Sequence, residues 1–256
     1  MEMEGLNMER ISKEIVPKFA IEGTLTEAVP YGSGHINDTV RLTCALENGG
    51  QKRYILQRMN DGIFKNPVEL MENVMNVTSF LRKKIVERGG DPERETLNVI
   101  RTVDGDNFLK DEDGDFWRMY IFIENATSFD MVRTPEDFYN SAVSFGNFQL
   151  LLQDYPAATL HETIPNFHNT VSRFAEDVCG RAKEVQDEIR FVMDREADTH
   201  VICDALANGE IPLRVTHNDT KLNNIMIDNE TGKGICVIDL DTVMPGSALY
   251  DYGDSI

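Results

Sequence analysis

Hydrophobic positions along the first half of the chain recur at two different periods. Val40, Leu42, Cys44 and Leu46 alternate with Arg41, Thr43 and Ala45, the period of a strand with one buried face. Glu47-Asn48-Gly49-Gly50 is a turn signal, and Tyr54-Ile55-Leu56-Gln57-Arg58-Met59 reads as the return strand of a hairpin. The period then becomes helical. Asn66 predicts an N-cap, Pro67 the first helical position, and Glu69 the closing residue of a capping box. Val68, Met71, Met75, Thr78, Leu81 and Ile85 predict one buried face, ended by Gly89-Gly90-Asp91-Pro92. Strands are expected again over Leu97–Val103 and Phe116–Ile123, with Asp104-Gly105-Asp106 and Asp111–Asp115 as turns.

After Glu124 the pattern is helical. Thr134 predicts a cap before Pro135, and Phe138, Ala142, Phe145, Phe148 and Leu152 form an apolar stripe. Phe174, Val178 and Val185 predict a helix from Val171 to Arg190, and another is expected over Ala197–Ala207. The switch from strands to helices predicts an α+β chain of two lobes, residues 1–124 and 125–256, with a cleft between them.

Composition narrows the function classes. With 25 Lys+Arg against 44 Asp+Glu the formal net charge is −19, so nonspecific nucleic-acid binding and attachment to anionic membranes are both disfavoured by repulsion. No apolar run approaches the roughly 18 residues of a spanning helix, and the opening residues MEMEGLNMERISKEIV lack the pattern of a secretory signal. Cys44, Cys179, Cys203 and Cys236 show neither a CxxC pair nor zinc-ligand spacing. Reduced thiols in a cytoplasmic protein are the expectation.

The chemistry concentrates between residues 214 and 241. Reduced to its polar skeleton, this stretch carries His217, Asp219, Asn224 and then an Ile-Asp-x-Asp strand end at Asp239 and Asp241, separated by a short hairpin. Phosphoryl transfer from ATP needs such a set. One carboxylate orients the acceptor hydroxyl and takes its proton, while hard oxygen ligands hold Mg²⁺ against the phosphates. Asp219 is accordingly the expected base. Asn224 and Asp239 are the expected Mg²⁺ ligands, the amide adding no further negative charge, and His217 is expected to fix the loop by hydrogen bonds. A lone H-x-D triplet is ordinarily a turn, and a lone I-D-x-D a solvated strand end. The two in this order point to catalysis.

With these motifs the chain resembles the protein-kinase-like phosphotransferases that include aminoglycoside phosphotransferases and choline kinases. The phrases THNDTKLNNIM, VIDLDTVMPG, YGSGHINDT and FGNFQLLLQDYPAATLHETIPNFHNT are similar to those of N-acetylhexosamine kinases, which phosphorylate an anomeric hydroxyl. The resemblance covers most of the chain. It implies a bilobal fold, with an antiparallel sheet plus helix first and a mainly helical lobe second. In the resembling kinases a helical remainder follows, so the resemblance also implies a second lobe cut short at Ile256.

The resemblance gives roles to upstream residues. Gly32, Ser33, Gly34, His35 and Asn37 would lie along the ATP phosphates, where glycine permits close backbone approach. A strand cation oriented by a helix glutamate is expected next. The strand offers Arg58 beside Gln57, with Glu72 as the partner and Glu69 as runner-up; which of Gln57 and Arg58 faces the cleft stays open. Lys221 would neutralise the transferring phosphoryl group, and backbone groups from Tyr120 to Ile123 would meet adenine. His161 and His168 are read as structural. The first functional reading is an ATP- and Mg²⁺-dependent kinase of a sugar hydroxyl. The others are an aminoglycoside or amino-alcohol phosphotransferase and a catalytically inert nucleotide-binding fragment.

Overall fold

One antiparallel sheet with both faces covered organises the first half of the molecule. The computed structural model describes residues 6–32, 36–177 and 185–256. Strands β1 (Thr24–Pro30), β2 (Asp38–Ala45), β3 (Gln51–Met59), β6 (Phe116–Ile121) and β4 (Val99–Ile100) lie side by side in that order, and β5 (Leu109–Lys110) also pairs with β6. Side chains alternate between the faces. Tyr54, Leu56, Trp117 and Met119 pack under a short helical segment that begins with α1 (Met8–Arg10) and buries Ile11, Ile15 and Val16. Met59 and Tyr120 face the other way, toward α2 (Pro67–Glu87).

The β2–β3 hairpin and α2 match the sequence pattern, with three corrections. The buried face of α2 runs through Leu70, Met71, Val74, Val77, Leu81 and Ile85, whereas Val68 is exposed. Met71, Thr78, Leu81 and Ile85 of the expected face are buried, and the buried surface is broader than that face because the helix packs between the sheet and the later loops. Asn66 accepts the Glu69 N–H at 3.4 Å, but the Glu69 carboxylate lies 3.9 Å from His161 Nδ1, so the reciprocal half of a capping box is not made. The expected strand at Leu97–Val103 is reduced to Val99–Ile100.

The second half supplies α3 (Pro135–Leu151), α4 (Thr170–Asp177), α5 (Gln186–Met193) and α6 (Glu196–Ala207). Thr134 and Asp137 form the capping box of α3. Phe145, Phe148 and Leu152 are buried as expected, while Phe138 and Ala142 are exposed. The middle of the helix expected from Val171 to Arg190 lies outside the described residues, and its ends are α4 and α5. A strand β7 (Ala126–Thr127) pairs with β9 (Ile225–Asp228), which forms a hairpin with β10 (Gly234–Val237). Gly234 lets α3 pack tightly on this hairpin, since a Cβ there would sit 1.8 Å from Ser144 Oγ. β8 (Arg214–Thr216) pairs with β11 (Met244–Gly246), and α7 (Ala248–Asp254) follows.

Candidate active site

The loop after β8 is held from three sides. His217 is fully buried, places Nε2 2.9 Å from the Ile238 carbonyl, and is met edge-on by the rings of Phe145 and Phe148. A loop-fixing role is what the sequence leads one to expect of it. Asn218 adopts a left-handed φ of 66°, a conformation that asparagine tolerates better than most residues. Its side chain donates to the Thr242 carbonyl at 2.8 Å. From α7, Asp251 accepts the backbone N–H groups of His217 and Asn218, while Thr220 donates its hydroxyl to the Asp251 carbonyl at 2.8 Å.

Asp219 is therefore presented by a loop with little freedom. Asn224, in a short 3₁₀ turn, donates Nδ2 to the Asp219 backbone carbonyl at 2.8 Å and to its Oδ2 at 2.9 Å. Lys221 Nζ lies 2.8 Å from the same Oδ2. Because Nδ2 of Asn224 is committed to Asp219, its Oδ1 remains as the end that can meet a cation. The hairpin then brings Asp239 beside it: Val237 pairs with Ile225, and Ile238 N–H donates to the Asn224 carbonyl at 2.9 Å. Asp239 has φ 57°. Burial, with the Asp241 charge next to it, pushes its carboxyl up to about 6, against the pull of Arg118 and His217.

Asn224, Asp239 and Lys221 line one cleft of about 250 Å³ between the β9–β10 hairpin and the sheet. Its apolar lining includes Ile55, Tyr120 and Ile123 from the sheet side and Met226 and Ile238 from the hairpin. Those surfaces suit a flat aromatic base, and Tyr120 and Ile123 were expected there. Gly32 also lines the cleft with φ 83°. Ser33, Gly34 and His35 lie outside the described residues. Asn37 reaches the cleft, but its side chain is engaged on both ends, donating to Asp241 Oδ2 at 2.7 Å and accepting the Asn60 N–H at 3.0 Å.

Two expected residues are elsewhere. Arg58 shares the sheet face of Tyr54 and Leu56 and pairs with Asp38 and Asp115, so Gln57 faces the cleft in its place. Glu72 points to His161, whose Nε2 is 2.8 Å from its carboxylate, and does not approach the cleft. The adjacent Asn73 is the inward residue of α2, donating to the carbonyls of His161 at 2.8 Å and Val243 at 3.1 Å.

Other groups carried no role in the sequence reading. Arg118 is 1% exposed, and its guanidinium grips both carboxylate oxygens of Asp241, at 2.9 Å for Nη2. Burial opposes that charge, and Asp241 more than offsets it, so the guanidinium pKa is raised. A single charge inside Trp117-Arg118-Met119-Tyr120-Ile121 was the signal available. His168 was read as structural. It stacks on Tyr250 with centroids 5.3 Å apart and sets Nε2 3.2 Å from the Asn218 carbonyl, against the loop that carries Asp219.

A divalent cation fits this donor set, because the Asn224 amide oxygen and the Asp239 carboxylate are both hard oxygen ligands. Among the described residues no group of three or more His, Cys, Asp or Glu side chains could hold a metal alone. Such a cation would complete its shell from phosphates and water.

Sheet, apolar-lined cleft and carboxylate-bearing loop together define a phosphoryl-transfer enzyme of protein-kinase-like fold. Residues 27–256 match the model of the phosphotransferase enzyme family known as APH, and the chain belongs to that family. Among solved structures, the fold is shared with an amicoumacin kinase, hAmiN, in complex with AMP-PNP, Ca²⁺ and Ami. It is 10% identical, with a TM-score of 0.64 over 97% of this chain and 68% of that one. It is also shared with an aminoglycoside phosphotransferase from Alicyclobacillus acidocaldarius. There the identity is 14% and the TM-score 0.54, over 94% of this chain and 68% of that one. The chain is a phosphotransferase with a hydroxyl acceptor.

Proposed function

We propose that this phosphotransferase moves the γ-phosphoryl group of ATP, with Mg²⁺, to the anomeric hydroxyl of an N-acetylhexosamine. The observation that carries the catalytic part is Asp219, its carboxylate fixed between Asn224 and Lys221 beside the cleft that holds Asp239. Asp219 orients the acceptor hydroxyl and accepts its proton as the new O–P bond forms, and Lys221 balances charge on the transferred group. Asn224 and Asp239 would hold Mg²⁺, which when bound neutralises phosphate charge. Residues 1–124 would supply most of the nucleotide site and residues 125–256 the chemistry. AMP-PNP and Ca²⁺ in the amicoumacin kinase structure support the nucleotide and the divalent ion. The acceptor rests on the resemblance of THNDTKLNNIM and VIDLDTVMPG to hexosamine kinases.

A second acceptor class, aminoglycosides and amino alcohols, is favoured by the net charge of −19, which attracts cations, and by the aminoglycoside phosphotransferase among the structural neighbours. The enzyme is read as cytoplasmic. The described cysteines Cys44, Cys203 and Cys236 are free thiols, and no helix among the described residues is long and apolar enough to cross a membrane. A coupled ADP-release assay over N-acetylglucosamine, N-acetylgalactosamine, choline, ethanolamine and aminoglycosides decides between the classes. Release with the hexosamines supports the first acceptor, and release with choline or aminoglycosides alone rejects it. Binding of MgATP with no acceptor-dependent release across the panel would favour an inert nucleotide-binding protein.

A further inference from the structure

We propose that Arg118 is the residue of the sheet that binds the nucleotide's phosphates, and that Asp241 positions it; the inference rests on the nucleotide reading of the cleft. A triphosphate needs fixed positive charge where it lies. The strand cation expected at Arg58 is on the far face, tied to Asp38 and Asp115. Among the described residues lining the cleft the cations are Lys221 and Arg118, and Lys221 is held on the Asp219 carboxylate.

The register explains how Arg118 reaches the position that Gln57 leaves uncharged. Gln57 and Arg118 are direct cross-strand partners on β3 and β6, so their side chains leave the sheet on one face as neighbours. Arg118 Nε donates to Gln57 Oε1 at 3.0 Å, and Gln57 Nε2 donates to Thr39 Oγ1 at 3.1 Å. Gln57 thus braces the guanidinium where a cation on its own strand would have ended.

Asp241 fixes the other edge. Its bidentate grip, with the bond to Gln57, uses three of the five N–H groups that a guanidinium carries. Two N–H groups remain for phosphate oxygens. A buried Arg–Asp pair roughly breaks even against an apolar pair in stability, so stability alone is a weak reason to place one against a ligand cleft. Asp241 also receives Asn37, which follows Gly32 in the segment expected along the phosphates. One carboxylate therefore gathers the guanidinium and the Asn37 side chain together. The second Asp of the Asp239-x-Asp241 pair orients a cation, and the first is left to meet the metal.

The test is calorimetric titration of ADP and of adenosine, at fixed Mg²⁺ and ionic strength, into the parent, Arg118→Gln, Arg118→Lys and the charge-balanced double variant Arg118→Gln/Asp241→Asn. The expected result is a loss of ADP affinity of roughly ten- to a hundredfold in Arg118→Gln and in the double variant, with adenosine affinity unchanged and partial recovery in Arg118→Lys. The double variant removes both members of the buried pair, so it reports even where Arg118→Gln does not fold. Parental ADP affinity in the double variant overturns the proposal, as does an equal loss for adenosine and ADP, which marks a merely structural pair. A parent that binds neither ligand overturns the nucleotide reading itself, and the proposal with it.

Discussion

Asp251 accepts the backbone N–H of Asn218 at 2.8 Å, and its other oxygen accepts that of His217 at 3.0 Å. A carboxylate from α7 thereby sets the backbone path into Asp219, two bonds that a neutral side chain cannot both replace. Each charge-assisted bond is worth about 1.5–3 kcal/mol. Displacing a reacting group by about 1 Å can cost on the order of a hundredfold. Asp251→Ala is expected to lower Tm by several degrees and kcat by at least tenfold, with ADP affinity within about twofold of the parent. Calorimetry beside steady-state kinetics checks it; an equal loss of binding and turnover would mean that Asp251 supports the whole cleft.

Asp219→Asn keeps the shape of the loop and removes the proton acceptor. Loss of a general base lowers rates by roughly 10²–10⁴, so turnover should fall in that range while ADP still binds. Retention of the parental rate would reject Asp219 as the base.

Asp239→Asn separates two effects. Asparagine accepts the left-handed backbone found at Asp239, and it removes a carboxylate that burial and Asp241 both disfavour. In EDTA the variant should melt a few degrees above the parent. The gain in ADP affinity that Mg²⁺ gives the parent should disappear in the variant. Calorimetric titration with and without Mg²⁺ measures this, and an undiminished Mg²⁺ effect would remove Asp239 from the metal ligands.

Asp228 closes the turn of the β9–β10 hairpin. Its carboxylate accepts the N–H groups of Thr231 at 2.8 Å and Glu230 at 3.1 Å, the Thr231 hydroxyl at 2.9 Å, and Arg94 at 3.0 Å. These bonds, that to the Thr231 N–H foremost, hold it down to about 2 from an ordinary 3.8. A depressed acid stabilises the fold above its unfolded value and loses that contribution as pH falls toward the folded one. The Tm gap between parent and Asp228→Asn should be full at neutral pH and shrink from pH 3.8 toward 2. A gap constant over that window would show that the charge is immaterial.

The parts legible in the sequence were those written in contiguous residues. The β2–β3 hairpin announced itself by alternation and a turn, and His217, Asp219, Asn224 and Asp239 by their spacing. Alternation also said that Gln57 and Arg58 point to opposite faces, but only pairing to β6, with Arg118 opposite Gln57 and Trp117 opposite Arg58, decides which is inside. β1 escaped notice because it is an edge strand in which no side chain is fully buried. The Arg118–Asp241 and Asp251–Asn218 contacts join residues 123 and 33 positions apart. No local pattern encodes them.

Asn73 gives the architecture a mechanical consequence. One carboxamide, fully buried in α2, holds the carbonyls of His161 and Val243 and accepts the His161 N–H. The long helix is thereby riveted to the chain just past Asp239 and Asp241. Displacing the helix would drag the Asp239 carboxylate with it, so the tilt of α2 and the shape of the cleft are a single mechanical coordinate.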